Sequence, residues 1–67
     1  MKRKITVERE NVGVSKTRLA QMAGLNPGTI IGTESGRLVP YPVQLAKMAA
    51  ALGWTGDPAA LMDEVDA

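Results

Sequence analysis

The stretch from Lys16 to Ser35 constrains the fold more than any other part of the chain, because it contains two patterns of helical period separated by one glycine. In the first half, small and apolar residues recur on one helical face: Leu19, Ala20 and Ala23. Gly24 follows, and glycine readily takes the left-handed conformation in which many helices end. The pattern therefore predicts a helix that ends just before Gly24.

Helix-starting signals occur twice around this stretch. Ser15 is a suitable N-cap for the first helix, and Asn26 is one for the second. Pro27 then occupies the first helical position, where its missing N–H has no partner to lose, and Ile30 turns back to the core. Gly36 ends the second helix, so two helices joined by a tight turn are predicted. Such a helix-turn-helix is suited to placing its second helix in the major groove of DNA.

The whole chain is predicted to form one all-α domain, a compact bundle of five helices over residues 1–67. Its 67 residues suit one small core, and 45% of them are hydrophobic, without any Phe. The predicted order is a basic arm at 1–4, a helix at about 3–11, the helix-turn-helix at 15–35, a helix from Pro42 to about Leu52 and a short fifth helix at 57–65. Helix is favoured at 3–11, although Ile5, Val7 and Arg9 also alternate as in a strand.

Composition excludes several classes of site. The chain has no Cys and no His, so disulfides, thiolate chemistry and the usual zinc sites are excluded. Ser15, Ser35 and the threonines have no imidazole to activate them, so no enzymatic activity, cofactor or small-molecule ligand is expected. No apolar run approaches the ~20 residues that span a bilayer, and no signal-peptide core follows the N-terminus. A cytoplasmic protein that does not bind membranes is expected.

Charge is unevenly distributed along the chain. Residues 1–55 have a net charge of +5, whereas residues 56–67 have one of −4. The basic arm contains Lys2, Arg3 and Lys4, and it is either a solubilising terminus or a contact to DNA phosphates.

Lys16 and Arg18 lie in the first turn of a predicted helix, where the helix dipole favours acidic residues instead. A phosphate bound over this N-terminus would meet both cations and free backbone N–H groups. The alternative is that both cations are simply solvated on the surface.

Several segments of the chain together match one family pattern: GVSKTRLAQMAGL from Gly13, Thr29-Ile30, Glu34-x-Gly36, Pro40, and LAKMAAALG from Leu45. On these segments, the chain resembles the lambda-repressor-like, Cro/C1-type helix-turn-helix regulators, also called the XRE family, from about Ile5 to Val65. The resemblance implies a five-helix domain that binds palindromic double-stranded DNA as a homodimer. The helix from Pro27 to Glu34 would lie in the major groove.

The resemblance also implies roles for individual residues. Arg9 is expected to pair with Glu34 and so to tie the first helix to the third. Arg37 and Tyr41 stand where family members often contact phosphates, although Tyr41 is equally suited to packing within its loop. Trp54 is expected either to close the core or, with the C-terminal helix, to anchor the dimer.

Some positions depart from the family pattern. Lys16 stands where the family usually has a Gln that orients a base-reading partner, so a phosphate contact is kept and the amide contact is lost. None of the side chains at four base-reading positions can make the bidentate bonds of direct readout: Pro27, Gly28, Ile31 and Gly32. Thr29 and the methyl groups of Ile31 remain as readers, whereas Thr33 is expected to fill part of the core.

The sequence therefore predicts a DNA-binding, repressor-like transcriptional regulator. Its candidate DNA contacts are Lys16, Thr17, Arg18, Asn26, Pro27, Gly28, Thr29, Ile31, Gly32, Arg37 and Tyr41. The alternative is an interaction module on the same fold, such as an antitoxin, antirepressor or adaptor. In that case Gly28, Ile31 and Gly32 would form a flat docking face for another protein.

Overall fold

A computed structural model describes residues 2–65 and shows a mostly helical chain with four α-helices. The helices are α1 (Lys4–Val12), α2 (Lys16–Ala23), α3 (Pro27–Ser35) and α4 (Pro42–Leu52). Helix α2 packs against both α3 and α4. Helix α4 also packs against Pro58–Met62, which we call the C-terminal segment. None of the helices within residues 2–65 combines the length and the apolar character needed to span a bilayer.

Local capping sets the bounds of the central helices, as the sequence predicted. The Ser15 Oγ accepts the backbone N–H of Arg18 at 3.0 Å, and the Asn26 Oδ1 accepts that of Gly28 at 2.8 Å. Gly24 ends α2 in the left-handed conformation, with a φ of 69°, which a residue with a Cβ takes only with strain. These short-range interactions fix the turn between α2 and α3.

The core lies where the four helices meet. Its fully buried large side chains come from α1, α2, α3, α4 and the C-terminal segment: Ile5, Leu19, Ile30, Met48 and Leu61. Thr33 is also fully buried, as the sequence predicted, and its hydroxyl donates to the Thr29 carbonyl oxygen at 2.7 Å. This bond satisfies a polar group inside the core without a partner from another element.

The predicted fifth α-helix at 57–65 is wrong. The Asp57-Pro58 signal does start a helix, because the Asp57 Oδ1 accepts the N–H of Ala59 at 3.0 Å, but it is a short 3₁₀-helix over Pro58–Met62. Asp63 is extended, and the chain continues into a two-residue strand, β2 (Glu64–Val65). Pairing with another strand satisfies the backbone here in place of helical bonds.

The partner strand is β1 (Lys2–Arg3), so two residues of the predicted basic arm are paired with the C-terminal part of the chain. The strands are antiparallel, with Lys2 opposite Val65 and Arg3 opposite Glu64. The Lys4 N–H, at the start of α1, donates to the Asp63 carbonyl oxygen at 2.7 Å. Met1, the first residue of the predicted arm, lies outside the described residues.

Candidate nucleic-acid interface

The N-terminus of α2 is open to solvent and basic. Lys16, Thr17 and Arg18 are all exposed, and the first turn contains no acidic residue. Among the residues described, Arg18 bonds only weakly through its side chain, to the Gln21 Oε1 at 3.5 Å. The positive end of the helix dipole therefore coincides with two cationic side chains, an arrangement that attracts an anion.

The N-terminus of α3 is exposed over its first residues. Asn26, Pro27 and Gly28 are exposed, whereas Thr29 is half-buried and its carbonyl oxygen accepts the Thr33 hydroxyl. Ile31, one turn into the helix, keeps 43% of its surface exposed. The N-terminal half of α3 thus presents its backbone, Gly28 and the apolar side chain of Ile31 to solvent. It presents no long polar side chain there.

Gly32 is not part of a flat, open face. A Cβ added there would lie 2.9 Å from the Leu38 Cβ, closer than real Cβ contacts come. Because Gly32 has no side chain, Leu38 and the segment after α3 can pack directly against the helix. The predicted docking face of Gly28, Ile31 and Gly32 is interrupted by Leu38 at its last position.

A cleft of about 550 Å³ opens beside α3. Three of the predicted contacts line it: Lys16, Ile31 and Arg37. Lys2, Arg3 and Ser35 lie on its walls too. The remaining predicted contacts, including Arg18 and Tyr41, lie outside it. No sequence signal pointed to Ser35, because its place in the cleft depends on how folding brings α3 close to Lys2, Arg3 and Glu64.

The pairing of Arg9 with Glu34 is confirmed. The Arg9 Nε lies 2.9 Å from the Glu34 Oε2, and the Arg9 Nη2 lies 3.2 Å from Oε1. The Thr6 hydroxyl donates to the same Oε1 at 2.9 Å, and the Arg9 Nη1 donates to the Val14 carbonyl oxygen at 2.8 Å. The two side chains are only 11% and 4% exposed. This network ties α1 to α3. Both carboxylate oxygens of Glu34 are bonded to side chains of α1.

The other cations of the cleft differ in how they are held. The Lys2 Nζ lies 2.7 Å from the Glu10 Oε1, and its hydrogen bond holds the pKa of the Glu10 carboxyl below its usual value. The Arg3 Nη1 donates to the Met62 carbonyl oxygen at 2.8 Å. Within residues 2–65, no carboxylate lies within salt-bridge distance of Lys16 or Arg37. Lys16 and Arg37 therefore have no internal acid among residues 2–65 and are available to an external anion.

Trp54 closes the core from the side of the C-terminal segment. It is half-buried and packs against the core cluster, and its Nε1–H donates to the Asp57 carbonyl oxygen at 3.0 Å. The Lys4 ammonium lies 5.1 Å from the centre of its ring, a cation–π distance. Core closure, one of the two roles predicted for Trp54, is what the contacts show.

The chain was compared with protein-family models, with curated proteins and with solved structures, and none of the three comparisons found a match.

Proposed function

We propose that this chain is a double-stranded-DNA-binding transcriptional regulator, repressor-like, of the lambda-repressor-like (XRE) kind that its sequence resembles. The observation that carries the proposal is the convergence of Lys16, Ile31 and Arg37 on one cleft beside α3, with both cations free of carboxylate partners within residues 2–65. Cations that no internal acid neutralises favour a polyanion. The site acts in the cytoplasm, where DNA is accessible to it.

Phosphate contacts supply most of the proposed affinity. A phosphate over α2 would accept the backbone N–H groups of its first turn and meet Lys16 and Arg18. The Ser15 hydroxyl oxygen accepts only one of these N–H groups, that of Arg18. Arg37, just after α3, would hold a second phosphate on the other side of the groove.

The reading helix is α3, with its N-terminal turn in the major groove. Ile31 can pack on thymine methyl groups, and the Thr29 hydroxyl can accept or donate one bond. Gly28 lets the backbone come close to the DNA. Because no long polar side chain is present, discrimination between bases is expected to be modest and to depend on DNA shape. Such a domain gains affinity for palindromic sites as a homodimer.

Fluorescence anisotropy at several salt concentrations tests the proposal. The probes are a duplex from the region upstream of the coding sequence and a shuffled duplex. Lys16→Ala and Arg37→Ala should each weaken binding to both duplexes and reduce the slope of log K against log salt by about 1. Lys47→Ala is the matched control, because Lys47 is exposed on α4 and does not line the cleft. Equal effects of all three changes, or no DNA binding at all, would contradict the proposal.

A protein-interaction module remains the second candidate, because Ile31 is a 43% exposed apolar residue at the centre of the proposed reading helix. On this reading, Ile31→Glu abolishes function in the cell while Lys16→Ala and Arg37→Ala leave it unchanged. The DNA proposal instead expects loss of function from all three changes.

A further inference from the structure

The most exposed large apolar side chains of residues 2–65 lie close together, between the end of α3 and the first turn of α4. Val39 is 84% exposed, Tyr41 73% and Val43 62%, and Leu38 beside them is 37% exposed. We call these four residues the apolar patch. Single exposed apolar side chains are ordinary on protein surfaces, but four within six consecutive residues are a candidate interaction site.

The backbone beneath the apolar patch is held in place. Pro40 is buried, and Pro42 begins α4, so two residues with fixed φ lie within the segment. The Tyr41 N–H donates to the Gln44 Oε1 at 2.9 Å, and Leu38 lies against Gly32. The patch is therefore formed before any partner arrives, which lowers the entropy lost on association.

We infer that the apolar patch is the contact surface between two copies of this chain. The inference names the surface of the homodimer that the proposed function calls for, and in that respect it rests on the proposed function. Residues 38–46 contain no charged side chain. A two-fold contact sets a surface against itself, so any charge would face its own copy. A neutral surface avoids that repulsion and offers no charge by which to select a different protein.

The area of the apolar patch fits a weak dimer. The exposed fractions of its four residues correspond to roughly 450 Å², the size of the largest apolar patch on many monomers, which is often functional. A specific interface of standard size buries about 800 Å² on each partner, about a fifth of the 3938 Å² surface of this chain. The patch supplies more than half of that area. Trp54, by contrast, is engaged with Lys4 and Asp57 inside its own chain.

The position of the apolar patch also suits DNA binding by two copies. Arg37, which lines the basic cleft, directly precedes Leu38, the first residue of the patch. Two copies joined through the patch would therefore hold two basic clefts in one assembly, as a two-fold DNA site requires.

Sedimentation equilibrium without DNA tests this inference, at protein concentrations from about 10 μM to about 1 mM. The wild-type chain is expected to pass from monomer to dimer within this range. Val39→Lys should weaken the dimer at least tenfold, because association would bury a lysine opposite its own copy. Val12→Lys is the matched control: Val12 is 47% exposed at the end of α1, outside the patch, and its change should leave the dimer intact.

A wild-type chain that stays monomeric up to about 1 mM, or a Val39→Lys variant that dimerises as well as Val12→Lys, would overturn the inference. A circular-dichroism melt of each variant confirms that it is folded, which is expected at so exposed a site. The inference and the proposed function fail separately. A patch-dependent dimer that binds no DNA supports the contact surface and contradicts the regulator. A chain that stays monomeric but binds DNA through Lys16 and Arg37 supports the regulator and contradicts the contact surface.

Discussion

At the residue scale, the described part of the chain, residues 2–65, contains two ion pairs of different character. Arg9 and Glu34 are 11% and 4% exposed and share further bonds, whereas Lys2 and Glu10 are both 47% exposed and bond only once. Removing one partner of a buried pair leaves the other charge desolvated without compensation, but water replaces a lost partner at the surface. The pair joining α1 to α3 is therefore the one on which stability depends.

Glu34→Ala should lower the free energy of unfolding by about 3 kcal/mol, because it leaves the buried guanidinium of Arg9 without its carboxylate. Urea denaturation at neutral pH measures the change. Glu10→Ala, which breaks the exposed pair, is the control and should leave the midpoint almost where it was. If the two variants unfold at the same urea concentration, the buried pair has no special role in holding α3.

At the scale of the element, α3 is unusual in containing two glycines. Alanine at Gly32 would gain about 1 kcal/mol of helix propensity, but its Cβ would lie 2.9 Å from that of Leu38. Gly32→Ala is therefore expected to lower the melting temperature, although alanine has the higher helix propensity, because the clash with Leu38 costs more. Adding Leu38→Gly removes the opposing Cβ and should return part of the loss, as a double-mutant cycle would show. Additive effects of the two changes would mean that the contact between α3 and the following segment is not tight.

The elements also show which parts of this fold can be predicted from sequence. The bounds of α2 and α3 depend on bonds within a few residues, such as Ser15 to Arg18 and Asn26 to Gly28, so their signals are local. The pairing of β1 with β2 joins Arg3 to Glu64 across the whole chain. Two-residue strands have no periodicity to detect. The Asp57-Pro58 signal marked the start of a helix but not its type or length.

At the scale of the whole molecule, folding brings opposite charges together that the sequence keeps apart. The basic N-terminal strand pairs with the acidic C-terminal one, and Glu64 reaches the wall of the cleft with Lys2 and Arg3. The cleft was not predictable for the same reason, since its walls come from the two strands, α1, the start of α2, α3 and Arg37. Uneven charge along a chain is thus no measure of the electrostatic potential at a site.

The acidic side of the cleft should limit DNA affinity. Glu64→Gln removes one negative charge from the cleft that Lys16 and Arg37 also line, so binding to any duplex is expected to tighten, by about threefold at low salt. The gain should fade as salt rises, because screening shortens the reach of an exposed charge to about 10 Å at 0.1 M. Anisotropy titrations of wild type and variant at low and high salt measure it.

The control for this change is Glu8→Gln, since Glu8 is an acidic residue of α1 that does not line the cleft. Both variants alter the net charge by the same amount. An equal gain in affinity from the two would mean that DNA responds only to net charge, and it would remove the cleft from the binding surface. A gain confined to Glu64→Gln would place the DNA backbone along the wall where β1 pairs with β2.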